Sequence, residues 1–143
     1  MKQTKELIMI VEDDRQIQDF IAYSLMTAGF GVLTAGGVEE AMRKMRSKKP
    51  DIMVLDLGLP DGDGLDLIRR VRKFSDIPII VVSARDKEED KIEALDRGAE
   101  DYITKPFSES ELMARIRVLR RHLIREERSR MGAEVSVRGL KIN

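Results

Sequence analysis

The chain has 143 residues, with 26 Lys and Arg against 26 Asp and Glu, so no net field draws it toward nucleic acid or an anionic membrane. That length is one domain, or one domain with a short appendage. Its 42% hydrophobic content can fill a core, while the lack of Cys and the single His122 exclude disulfides, thiolate chemistry, Cys- or His-rich metal centres and a Ser-His-Asp triad in the core.

The N-terminus, MKQTKELIMIVEDD, carries too short an apolar run for a signal peptide and meets acids at once. No stretch approaches the roughly 20 apolar residues of a membrane span. These features predict a soluble, cytoplasmic protein with no membrane partner.

Five short apolar runs alternate with five helical patterns. Leu7–Val11 opens the series, and helix one follows with Ile17, Phe20, Ile21 and Leu25 at spacings of three and four, stopping at Ala28-Gly29. Val32–Ala35 is the second run. Helix two carries Val38, Ala41, Met42 and Met45 and ends at Lys49-Pro50. Ile52–Leu55 is the third run, followed by helix three with Leu67, Ile68, Val71 and Phe74. Ile79–Val82 is the fourth. The first, third and fourth runs are almost wholly apolar, as in central parallel strands covered on both faces.

Helix four, Asp86–Arg97, offers only Ile92, Ala94 and Leu95 against many charges. Thin packing gives low local stability, which marks it as a candidate moving part, although the pattern equally suits an ordinary exposed helix. Tyr102–Thr104 is the fifth run, and helix five carries Leu112, Met113, Ile116, Leu119 and Leu123. The alternation predicts an α/β fold, a doubly wound five-stranded parallel sheet with five helices on its two faces.

The packed domain is expected to close near Arg121, giving one unit over residues 1–121. Residues 122–143 then read as a linker and a truncated beginning. Arg125–Arg130 is a charged run, Met131-Gly132 breaks it, and Val135, Val137, Leu140 and Ile142 hint at a further strand that cannot stand without a partner.

Parallel strands deliver their C-terminal ends to one rim, where open α/β sheets place their chemistry. Strand one ends in Glu12-Asp13-Asp14, strand three in Asp56, strand four in Ser83-Ala84, strand five in Thr104-Lys105-Pro106. Singly, each has a plainer role: Asp13 or Asp14 as a helix cap, Ser83 as a cap of helix four, Lys105 as a solvated charge. Jointly, Glu12, Asp13 and Asp56 form an acid cluster whose repulsion calls for an oxygen-seeking dication, and Mg²⁺ suits one or two carboxylates plus waters and phosphate.

VEDD, VLDLGLPDGDG, VVSAR and DYITKPF, in this order, resemble a response-regulator receiver domain over about residues 5–121. The resemblance implies the flavodoxin-like strand order 2-1-3-4-5. It implies Asp56 as phosphoacceptor for a sensor histidine kinase, Mg²⁺ as cofactor, and Asp13, Glu12 and the Gly58 carbonyl, with Asp56, as the metal site. Asp14 lies one position beyond the acidic pair and is not expected as a ligand. Ser83 matches the switch hydroxyl, Lys105 the phosphate-contacting lysine and Tyr102 the aromatic that changes rotamer. Such a domain accepts its own phosphoryl group and loses it slowly, without being an enzyme.

Lys91, Asp96, Asp101, Glu111, Arg115 and Arg117 are similar to the charge pattern of OmpR/PhoB-type receivers. These form homodimers through helix four, strand five and helix five when phosphorylated. The implied pairs are Lys91 with Glu111, Asp96 with Arg117 and Asp101 with Arg115 across a two-fold axis, around Ile92, Leu95 and Ala114. Lys91 stands where Arg is more usual, which loses a forked pair. That subfamily carries a winged-helix DNA-binding domain after the receiver, and the tail from Val135 to Asn143 resembles its opening strand. DNA would then be bound only through that domain, which this chain lacks, for transcription regulation. Within the subfamily, LDLGLPDGDG, SDIPIIVVSAR and DKIEALDRGAEDY look most like the Kdp potassium-transport regulators.

Three rivals can be weighed. A phosphohydrolase of the haloacid dehalogenase type needs a general acid two residues after its nucleophile, where this chain has Gly58. A flavodoxin-like phosphate binder would face repulsion from Glu12-Asp13-Asp14. A degenerate receiver acting as a phosphorylation-independent binding module would not require this complete set of acids, Ser83 and Lys105.

Overall fold

A computed structural model describes the backbone of residues 5–139 and the side chains of residues 5–124. The order is β1 (Leu7–Val11), α1 (Arg15–Thr27), β2 (Gly31–Ala35), α2 (Val38–Lys48), β3 (Ile52–Leu55), β4 (Gly58–Leu59), β5 (Gly62–Asp63), α3 (Gly64–Arg72), β6 (Ile79–Ser83), α4 (Glu88–Arg97), β7 (Asp101–Thr104) and α5 (Glu109–Gly139). The main sheet is parallel, as the alternation predicts, and its order β2-β1-β3-β6-β7 is the one that the resemblance implies. β4 and β5 form a separate two-residue antiparallel pair that the sequence pattern does not show.

Period-two alternation divides the sheet residues between two cores. Met9, Val11, Met53, Leu55, Ile79 and Val81 pack with residues of α2, α3 and α4. Ile8, Ile10, Ile52, Val54, Ile80 and Val82 pack with α1 and α5, on the other face. Both faces are covered, so the central strands are apolar throughout.

The helices differ in how firmly they are held. α3 buries Leu67, Ile68 and Val71, each worth about 1.5–3 kcal/mol, whereas α4 buries only Ala94. The thin stripe read from sequence is thus the packing of α4. Phe74, expected on the apolar face of α3, lies beyond the helix and is 48% exposed, with the Arg46 guanidinium 5.5 Å from its ring centre. Phe20 is similarly turned outward, 44% exposed, its ring centre 6.0 Å from that of Phe107.

The caps follow local sequence chemistry. Asp14 accepts from the backbone N–H groups of Gln16 and Ile17 at the start of α1. Ser108 accepts from the N–H of Glu111 at the start of α5. Gly98, at φ 121°, ends α4 in a conformation that a side chain would strain. α5 runs on as a helix through Gly139, across the residues read as a linker and as the first part of a strand from Val135. The rest of that tail, 140–143, lies outside the described residues. Among the described residues, no helix is long and apolar enough to cross a membrane.

Candidate functional site

The site follows from strand register. Val11 pairs with Leu55, so Glu12 and Asp56 leave the sheet side by side. Each ladder runs one bond further: Asp56 N–H donates to the Val11 carbonyl at 2.9 Å, and Glu12 N–H to the Ala35 carbonyl at 2.9 Å. Ser83 pairs with Thr104, and Lys105 N–H donates to the Ser83 carbonyl at 2.8 Å. The rim is thereby built before any side chain is considered.

Carboxylate oxygens of Glu12, Asp13 and Asp56 lie within 4.8 Å of one another. At an effective dielectric of ~20, two like charges at that range repel by about 3 kcal/mol. Lys105 offsets part of this, its Nζ donating to Glu12 Oε1 at 2.9 Å and lying 3.5 Å from Asp56 Oδ2. One cation against three acids leaves a net negative pocket open to a dication. The donor set is all oxygen, Asp13 is exposed, and Glu12 is only 2% exposed, so the residues fit a hard, partly hydrated ion such as Mg²⁺.

Burial pushes the Glu12 carboxyl above its ordinary value, outweighing the Asp14 N–H and Lys105, which favour its charge. Lys105 also loses to burial, but Glu12 and Asp56 together more than compensate, so its ammonium titrates above its usual range. The shifts differ in balance because Glu12 has one cation nearby and Lys105 has two acids.

The other expected residues occupy different places. Gly58 meets Asp56 through its N–H, 3.4 Å from Oδ1. Ser83 is 1% exposed, and its Oγ accepts from the Arg85 N–H at 3.1 Å. Tyr102 stands beside it, half-buried, donating its hydroxyl to the Arg85 carbonyl at 2.7 Å. Burial raises the Tyr102 phenol above its ordinary value, with the Ser83 hydroxyl opposing. Ser83 is in phase with Val81, and Tyr102 packs on the α2–α4 core.

On the α4-β7-α5 surface, Ile92 and Leu95 are 50% and 45% exposed, and Asp96, Glu111, Ala114 and Arg117 are exposed. Lys91 is half-buried. Asp101 and Arg115, expected to meet across a two-fold axis, already pair within the chain at 2.9 Å, with Glu111 at 3.4 Å from the same guanidinium. An apolar groove of about 500 Å³, lined by residues including Phe20, Ala84, Pro106 and Phe107, opens beside Lys105.

Sequence reasoning missed Asp61, Asp63 and Arg85. Asp61 accepts from the N–H groups of Val38 and Glu39 at 2.7 and 3.1 Å, capping α2 from 23 positions away. Asp63 caps α3 by accepting from Leu65 N–H at 2.9 Å, which an Asp before an apolar-periodic segment could have signalled. Arg85 has no such local signal.

A family model described as a response regulator receiver domain matches residues 8–117. The chain is similar to the KDP operon transcriptional regulatory protein KdpE of Escherichia coli (strain K12), 49% identical over 116 residues, 80% of this chain and 52% of that protein. It is 51% identical over 114 residues to the transcriptional regulatory protein KdpE of Staphylococcus aureus (strain NCTC 8325 / PS 47), 80% of this chain and 49% of that one. The chain spans about half the length of these curated relatives. Among solved structures it resembles the receiver domain of the Francisella response regulator 1452, 34% identical with a TM-score of 0.78, covering 82% of this chain and 98% of that one. The BeF3-activated N-terminal receiver domain of Klebsiella pneumoniae RstA is also 34% identical, with a TM-score of 0.76, covering 80% and 98%.

Proposed function

Because the chain belongs to the response regulator receiver family and is KdpE-like within it, we propose that Asp56 is the phosphoacceptor of a two-component transcriptional regulator. The observation that carries this reading is the convergence of Glu12, Asp13, Asp56 and Lys105 on one rim of the sheet.

The chemistry requires no general base, since an ordinary carboxylate is ionised at pH 7. An Asp56 oxygen attacks the phosphorus of a phosphohistidine on a sensor kinase. The new P–O bond forms as the P–N bond breaks, and the electron pair returns to the imidazole. Glu12, Asp13 and Asp56, with the Gly58 carbonyl, are the groups that would hold Mg²⁺. When bound, that ion neutralises and orients phosphoryl oxygens. Lys105 lies within reach of the same oxygens and keeps a positive charge where negative charge accumulates.

The acyl phosphate carries about one more negative charge than the carboxylate it replaces. Ser83 and Lys105 are the local donors that answer it. Movement of Ser83 would be felt by Tyr102 and passed to the surface of α4, β7 and α5. That surface then forms a homodimer, which controls a DNA-binding domain in the longer protein. The chain is a signalling protein that modifies itself once per phosphodonor.

Acetyl phosphate with Mg²⁺, read by intact mass, tests the proposal. Wild type should gain one phosphoryl group and Asp56→Asn none. No gain on wild type, under conditions that label other receivers, would leave only a phosphorylation-independent binding module.

A further inference from the structure

We propose that Arg85 is the positioning residue that ties the Asp56 loop to Tyr102. Three parts of this residue are engaged at once. Its N–H donates to Ser83 Oγ at 3.1 Å, and its carbonyl accepts from the Tyr102 hydroxyl at 2.7 Å. Its guanidinium reaches the segment that follows Asp56, with Nη2 donating to the Leu57 carbonyl at 3.4 Å and Nη1 3.3 Å from Asp63 Oδ2.

Leu57 belongs to the α2–α4 core and Tyr102 packs against that same core, so Arg85 joins the segment after Asp56 to Tyr102 on one face of the sheet. Tyr102 is held by a backbone carbonyl, so its place depends on where the segment after Ser83 runs. That segment is not a strand: β6 ends at Ser83 and α4 begins at Glu88. The guanidinium is what pins it to the loop after Asp56. Asp63 in turn caps α3 with its other oxygen, which gives the clamp a fixed anchor. A displacement of the Asp56 loop is thereby carried to the acceptor of the Tyr102 hydroxyl without passing through Ser83 alone.

The consequence for activation rests on the phosphoacceptor reading, but the link itself can be tested without it. The chain has two tyrosines, so fluorotyrosine labelling of a Tyr23→Phe background leaves one ¹⁹F signal, from Tyr102. Before any phosphodonor is added, Arg85→Ala and Asp63→Asn should each displace that signal. Asn retains a capping oxygen for α3. The double variant should show no more displacement than Arg85→Ala, and Arg85→Lys, which keeps charge but not the fork, should lie between. Unchanged signals in both single variants, or fully additive displacements, would overturn the link.

With beryllofluoride and Mg²⁺, the variants should load as wild type does, yet dimerise roughly 5- to 10-fold more weakly, within the usual range of couplings between sites. Variants that load and dimerise as wild type would refute the role in activation. A wild type that does not respond to beryllofluoride, while the displacements before its addition appear, would overturn the phosphoacceptor reading and leave the link standing.

Discussion

Lys105 reaches Glu12 across 93 positions of chain, its Nζ 2.9 Å from Oε1, and so joins the last strand of the sheet to the first. Glu12 is 2% exposed and, among the described residues, its carboxylate keeps the Asp14 N–H, at 3.0 Å, as its one hydrogen-bond donor when the lysine is removed. Lys105→Ala should therefore destabilise the fold by about 1–3 kcal/mol, the cost of an under-satisfied buried group. Its urea midpoint, measured without Mg²⁺, should fall, and adding Glu12→Gln should restore part of the loss. An unchanged midpoint would show that the contact contributes nothing to stability.

The cap that Asp61 provides for α2 should make stability depend on pH in a set direction. N–H donation from Val38 and then Glu39 holds its carboxyl below the ordinary value of 3.8. A depressed folded-state value means that the unfolded chain takes up the proton more readily. The stabilisation is present above pH 3.8 and is lost as pH falls through the lower, folded-state value. Asp61→Asn keeps an acceptor but no charge, so its deficit relative to wild type should be largest near neutrality and shrink in acid. Parallel urea titrations at several pH values check this, and a deficit that grows in acid would contradict it. Gly37→Ala bears on the same contact, because a Cβ there would stand 2.6 Å from Asp61 Oδ1.

Ser83→Ala separates the chemical step from its consequence. Ser83 makes no hydrogen bond to Asp56 among the described residues; its Oγ accepts from Arg85 N–H. Labelling of Asp56 by acetyl phosphate should persist, since the acids and Lys105 remain in place. Phosphorylation-driven dimerisation should weaken, because the hydroxyl that answers the new charge is missing. Light scattering on the labelled variant decides this, and wild-type dimerisation would remove Ser83 from the switch.

These expectations draw unequally on the sequence. Strand ends and helix stripes were legible because period-two and period-3.6 patterns state burial directly, as at Ile52–Leu55 and Leu67, Ile68 and Val71. The acid cluster was legible because parallel strands must deliver Glu12, Asp13 and Asp56 to one rim. Phe74 misled because an apolar side chain at helical spacing is no proof of burial once the helix has ended. Asp61 and Arg85 escaped because their partners are 22 to 28 positions away and follow from loop paths rather than from periodicity. The Asp101–Arg115 pair was expected between two chains because the resemblance to OmpR/PhoB-type receivers implies it there, and sequence does not show that one chain also forms it within itself.

That pair sets the last expectation. Arg115 donates to both oxygens of Asp101, at 3.0 and 2.9 Å, and stands 3.4 Å from Glu111, while its buried Nε has no hydrogen-bond partner among the described residues. A dimer built on this surface either keeps these contacts or exchanges them for the same pair across the axis, around the exposed Ile92 and Leu95. Arg115→Glu would set three acids together on one protomer and repeat them on its partner. The cost to the monomer should be below about 1 kcal/mol, since the ion pairs are partly exposed. The cost to association should be much larger, because a two-fold axis doubles every like-charge contact. Light scattering with beryllofluoride and Mg²⁺ should show wild-type dimers and monomeric Arg115→Glu, with Asp56 labelled equally in both by acetyl phosphate. Dimers of normal affinity in the variant would move the interface away from α4, β7 and α5.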